Sequence, residues 1–275
     1  MEQFTRLVQV VAQLRAPEGC PWDREQTLQS LSHYVLEEAY EVVDAIERGD
    51  LNMLREEIGD HIFEGVFLAE IAAERGLFDV GDALRTVTDK LVRRHPHVFQ
   101  PDGRPHDMNS KLRAPSAEAA LDRWNTLKAQ ERATSGASHT VLGGIARSLP
   151  SLLTAYKIGK RAAGEGFDWT RADDVFQKIE EELGELRSAI ADNPADASRA
   201  EEEMGDLLFA LANLSRKLNI EPEQALRKAN DKFTARFNGM EKAIAASGRS
   251  MKDLSLDELE HEWNGVKSRQ PDSDR

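Results

Sequence analysis

One acidic pattern occurs twice in the chain, and each copy leads into an apolar run. Glu181-Glu182-Leu183-Gly184-Glu185 precedes Glu203-Met204-Gly205-Asp206, after which come Leu207, Leu208, Phe209, Ala210, Leu211, Ala212, Asn213 and Leu214. Read as helices, the first segment sets Glu182 and Glu185 one turn apart, and the second does the same for Glu203 and Asp206. A helix that is apolar on nearly every side is expected to be buried. A carboxylate in it is costly unless a proton, a basic partner or a metal ion neutralises it. Four such groups facing one another are candidates for a cation site. Glu37-Glu38-Ala39-Tyr40-Glu41, followed by Glu57-Ile58-Gly59-Asp60 and a run that includes Phe63, Val66, Phe67 and Ile71, repeats the arrangement.

The repetition extends beyond the acids. Glu38 and Glu182 are offset by 144 positions, Glu57 and Glu203 by 146, and Asp60 and Asp206 also by 146. Lys90 and Arg94 recur as Lys232 and Arg236 at an offset of 142, and Trp124 and Lys128 recur as Trp263 and Lys267 at 139. Offsets that drift by a few residues while order is kept are what loop-length changes produce in a duplicated domain. Apolar residues keep a helical period through most of both copies, and no segment alternates as a strand between hairpin turns. The expected fold is all-α: two tandem helical-bundle repeats, residues 1–133 and 150–275, joined by a Gly-containing linker at 134–149. Within the first repeat, Cys20 to Asp23 is expected as a turn, with Asp23 capping a helix from Gln26 to Ile46.

Composition bounds the function. A formal net charge of -13 argues against coating nucleic acid or an anionic membrane, so no stable nucleic-acid binding is expected. Polyphosphate remains open as a ligand where divalent cations lie between two sets of negative charge. The single cysteine, Cys20, excludes an intramolecular disulfide and fits a reducing compartment, and no apolar run is long enough to span a bilayer. A cytoplasmic protein is expected.

Carboxylate-only ligation suits Mg²⁺, with Mn²⁺ as substitute, better than zinc. The alternative for any acidic helix is a solvated face, which leaves unexplained why these acids open apolar helices. Lys232 and Arg236, one turn apart, can grip phosphate oxygens or form surface salt bridges. Trp263 can stack on a nucleobase or fill a core, and Lys267 can reach phosphate or stay solvated. His95 and His97 flank Pro96 and read as turn residues. A di-iron bundle needs paired Glu-x-x-His motifs, and only Glu258 and His261 have that spacing. No phosphate loop of the Walker type is present.

With Cys20-Pro21-Trp22-Asp23 near the start and Arg93-Arg94-His95-Pro96-His97-Val98-Phe99 after the fourth helix, the doubled pattern resembles the MazG nucleoside triphosphate pyrophosphohydrolases. The resemblance runs from about Leu7 to Lys267. It implies hydrolysis of nucleoside triphosphates to monophosphate and pyrophosphate with Mg²⁺, by a protein that is typically a homodimer. Carried over by position, it makes Glu182, Glu185, Glu203 and Asp206 metal ligands. Glu181 and Glu202 lie beside them, Lys232 and Arg236 meet the phosphates, and Trp263 and Lys267 complete the nucleotide pocket. Lys128 lends a further charge, and Arg199 occupies a position where lysine is common. Glu181 is the expected general base.

Glu38, Glu41, Glu57 and Asp60 form a second possible metal site. The denser acids at Glu201 to Glu203 and the better spaced Lys232 and Arg236 favour the second half as the catalytic one. The competing functions are a non-catalytic nucleotide sensor or scaffold and a narrow pyrophosphohydrolase acting on dUTP or phosphoribosyl-ATP. The tandem form and a stacking tryptophan favour a broad NTP range.

Overall fold

The computed structural model describes residues 2–107, 116–134, 140–192 and 197–269. The chain divides into two compact units, Met1–Gly136 and Ala137–Arg275. The first contains α1 (Glu2–Arg15), α2 (Pro21–Glu25), α3 (Ser32–Arg48), α4 (Leu51–Glu74), α5 (Val80–Arg94) and α6 (Ala117–Thr134). The second contains α7 (Ser151–Gly164), α8 (Ala172–Asp192), α9 (Ser198–Lys217), α10 (Pro222–Ala246) and α11 (Leu256–Arg269). Among the described residues, extended pairing is limited to an isolated bridge between Phe99 and Pro105. The all-α expectation holds.

In the first unit α3 and α4 form a tight hairpin. Gly49, at φ 67°, ends α3 in the left-handed region that an L side chain enters only with strain, and its N–H reaches the Ala45 and Ile46 carbonyls. Asp50 then opens α4 by accepting from the Asn52 and Met53 amides. Antiparallel helices joined by so short a connection must lie side by side, which brings the acids of one against those of the other. Val11 of α1, Leu31, and Val66, Phe67 and Ile71 of α4 form the buried core beneath.

Two local expectations change. Cys20 to Asp23 is not an open turn: Pro21 starts the short helix α2, and Asp23 is buried inside it at 8% exposure instead of capping α3. Helix α3 itself starts at Ser32, not Gln26, because Thr27 and Ser30 exchange backbone and side-chain hydrogen bonds (3.1 and 2.9 Å) that hold the chain in a polar turn.

In the second unit α8 packs on α9, α9 also on α7, and α10 on α11. Gly159 of α7 allows a close approach: a Cβ there would lie 2.1 Å from Asn213 Oδ1. Asn213 is 1% exposed, donates to the Phe209 carbonyl at 3.2 Å and accepts from Arg216. Residues 140–149 belong to this unit, where the Arg161 guanidinium donates to the carbonyls of Val141, Gly143 and Gly144.

Candidate metal centre

Each helix hairpin gathers three carboxylates. One oxygen from each of Glu182, Glu185 and Glu203 lies within 4.8 Å of the others, and the same holds for Glu38, Glu41 and Glu57. In both triads two acids come from the first helix of the pair and one from the second. The spacing explains this: residues three apart on α3 or α8 share a face, and the hairpin turns that face toward the next helix.

Glu182 is the most enclosed of its triad, 4% exposed. Lys178, one turn earlier on α8, brings Nζ to 2.6 Å from Glu182 Oε1 and 2.9 Å from Glu181 Oε1. Glu182 Oε2 is buried with no hydrogen-bond partner. The hydrogen bonds that the Lys178 ammonium donates to Glu182 and then to Glu181 raise its pKa, so it stays charged. Glu203, from α9, faces Arg199 Nε at 3.7 Å, and Arg199 also pairs with Asp192 at 3.1 Å. Burial, then repulsion from Glu203 and Glu182, raises the Glu185 pKa.

The first triad is more acidic in its surroundings. Burial pushes the Glu38 carboxyl up, and Asp60, Glu41 and Glu37 add repulsion. Glu57 is raised by burial and then by Glu41, Glu38, Asp60 and Glu56. Glu38 Oε2 is buried and unpartnered, as Glu182 Oε2 is. A buried carboxylate oxygen without a donor, in a group whose ligand atoms are all oxygens, fits a hard divalent cation.

Asp206 and Asp60 lie outside the two triads, at exposed positions. The expectation that α9 is buried on every side is corrected here: Leu208 is 45% exposed and Leu211 42% exposed. Within one chain α7, α8 and α10 cover only part of α9, so one apolar face stays uncovered.

The remaining residues singled out in the sequence lie as follows. Glu181, Glu202 and Arg199 are exposed on α8 and α9. On α10, Lys232 is exposed while Arg236, one turn on, is buried at 9%. Trp263 packs against the α10–α11 core of Met240, Ile244 and Val266, with its ring 5.1 Å from that of Phe233, and Lys267 is exposed. Lys128 lies on α6, with Nζ 4.8 Å from the Trp124 ring centroid. Sequence reasoning missed Lys178, although its i,i+4 spacing to Glu182 signals the pair. It also missed Glu64, buried at 6%, which follows Glu57 and Asp60 on one stripe of α4.

The sequence profile of the MazG nucleotide pyrophosphohydrolase domain matches residues 26–99 and again residues 172–240. Each match contains one acidic hairpin. The chain belongs to the MazG family. A nucleoside triphosphate pyrophosphohydrolase of Escherichia coli K12 is 45% identical over 99% of this chain and 100% of its own length. The nucleoside triphosphate pyrophosphohydrolase/pyrophosphatase MazG of Thermotoga maritima is 42% identical over 96% of this chain and 95% of its own. YabN of Bacillus subtilis, an uncharacterized protein, is 37% identical over 96% of this chain and 52% of its own length. Among the described residues no helix of this MazG chain is long and apolar enough to cross a membrane.

Proposed function

We propose that this chain hydrolyses nucleoside triphosphates and their deoxy forms to the monophosphate and pyrophosphate, with Mg²⁺, across a broad range of bases. The observation that carries the reading is Glu182, buried with one unpartnered oxygen between Glu185 and Glu203, inside a segment matching the family's domain. Full-length similarity to proteins named for this activity supports it.

Glu182, Glu185, Glu203 and Asp206 hold the cation. Bound there, Mg²⁺ supplies charge neutralisation for the triphosphate and a lowered pKa for water. Glu181, exposed and already beside Lys178, takes the proton of the attacking water. The new bond joins water oxygen to the α-phosphorus, the bond from that phosphorus to the bridging oxygen breaks, and pyrophosphate leaves. Lys232 and Arg236 on α10 bind the phosphates, with Arg199, Glu202 and Lys267 as further substrate contacts. Trp263 meets the base by stacking, which gives little base discrimination.

A homodimer and a cytoplasmic location belong to the same reading. Met204, Leu208 and Leu211 of α9, together with Leu183 and Ile190 of α8, expose an apolar surface that a second copy would cover. Light scattering behind a sizing column that returns a monomer would remove the dimer.

The activity is tested by incubating the protein with each common NTP and dNTP plus Mg²⁺ in ¹⁸O-water. Monophosphate carrying the label, with unlabelled pyrophosphate, is the expected outcome. Diphosphate plus phosphate, or label in pyrophosphate, contradicts attack at the α-phosphorus. Binding without turnover would make the chain a nucleotide sensor.

A further inference from the structure

The two acidic hairpins diverge one layer below their triads. Seven residues after Glu57 stands Glu64; seven residues after Glu203 stands Ala210. Glu57, Asp60 and Glu64 lie at i, i+3 and i+7, a single stripe of α4, so Glu64 continues the acidic face inward instead of turning from it.

Glu64 heads the buried face of α4, just ahead of Val66 and Phe67, and is 6% exposed. Its Oε2 has no hydrogen-bond partner, and neither does Glu38 Oε2 across the hairpin. Burial pushes its carboxyl up, and repulsion from Glu38 and then Asp60 adds to that. The C-terminal triad is different: Lys178 pairs with Glu182, Arg199 faces Glu203, and the inner position is an apolar methyl group. The counterpart of Lys178 at the 144-residue offset is Tyr34, which brings no charge.

Three acids that meet across the hairpin, with Asp60 and Glu64 on the same stripe of α4 and Glu64 deep in an apolar layer, describe a cation cage more than a phosphate-facing surface. Ligand charge count is what tunes divalent affinity in oxygen sites. We propose that Glu64 is an inner ligand of a divalent-cation site in the N-terminal unit, completed by Glu38, Glu41, Glu57 and Asp60, which fills without nucleotide and more tightly than the C-terminal site. This rests on the reading of the N-terminal acids as a metal site and is independent of where hydrolysis occurs. The site's role is to clamp α3 to α4, since a cation shared between the helices ties the hairpin together.

The test uses the full chain in nucleotide-free buffer, titrated with Mn²⁺ alone and read by the electron paramagnetic resonance signal of the free ion. Glu203→Gln disables the C-terminal site, and this variant is expected to keep one tight Mn²⁺. Adding Glu64→Gln, which preserves shape, is expected to weaken that site about tenfold or more. It should also remove most of the rise in melting temperature that Mn²⁺ gives, while leaving the metal-free melting temperature equal or higher. A merely structural Glu64 would lower the metal-free value and leave Mn²⁺ affinity untouched. That outcome, or the absence of tight Mn²⁺ in Glu203→Gln, overturns the proposal. Pyrophosphate release by the wild-type chain is measured separately, so the fate of the hydrolase reading does not decide this one.

Discussion

The N-terminal triad of Glu38, Glu41 and Glu57 is pressed by Asp60, Glu37 and Glu56 and underlain by Glu64, whereas the C-terminal triad of Glu182, Glu185 and Glu203 meets Lys178 and Arg199. The same backbone device thus sits in two electrostatic settings. Uncompensated acids favour holding a cation for its own sake. Acids already partly neutralised hold it less tightly, and their basic neighbours can meet the extra negative charge of a phosphate.

The helix ends show a second contrast. In the first unit Arg15 of α1 makes a two-pronged bond to Glu74 at the end of α4, at 2.6 and 2.7 Å. In the second, the end of α9 supplies the cations: Arg216 and Lys217 hold Asp168, from the α7–α8 loop, at 2.5 and 2.7 Å. Both clamps fasten the second helix of the acidic hairpin, with the sign of the charges exchanged. Tertiary closure at this place requires opposite charges in register, and either assignment satisfies it.

Four measurements press on these contrasts. The largest effect is expected from Glu203→Gln, which removes about 2.7–4 kcal/mol of transition-state stabilisation, a hundred- to thousandfold in kcat, with helicity near normal. Glu57→Gln, its counterpart, is expected to cost less than about tenfold. Equal losses would erase the division of labour between units.

Next in size is Leu208→Glu, which puts a charge on the uncovered face of α9. It is expected to convert a dimer to monomer in sedimentation without loss of helical circular dichroism. Retention of the dimer would place the contact elsewhere.

A smaller effect is expected from Asp168→Asn. The bond from Arg216, joined by Lys217 and opposed by burial, lowers the Asp168 pKa from 3.8 to about 2. A pKa depressed on folding contributes stability that is complete above the unfolded value and is lost as pH falls through the folded one. The variant is expected to be less stable by about 1 kcal/mol at pH 7, after allowing for solvent screening. The gap should persist to about pH 5 and narrow below about pH 4 in urea unfolding. A gap that widens in acid would contradict the clamp.

The smallest effect is expected from Lys178→Met. Without the ammonium, Glu182 is left to the cation alone, so Mg²⁺ affinity of the C-terminal site should rise by up to about fivefold in calorimetry. A fall in affinity would show that the lysine organises the triad instead of competing with the cation.

The primary structure determined most of the helices, their order and the doubled acidic hairpin, because these depend on spacing: three-residue steps put Glu182 with Glu185, and the Gly49-Asp50 connection folds α4 back on α3. Period alone could not tell a buried apolar face from an uncovered one, so Leu208 and Leu211 read as core until the packing of α7, α8 and α10 was known. The surroundings of Glu64, Lys178 and Trp263 were likewise decided in three dimensions. Whether a carboxylate is paired, stranded or solvated, and what an indole ring rests on, depends on residues from other elements. A one-dimensional pattern does not specify that proximity.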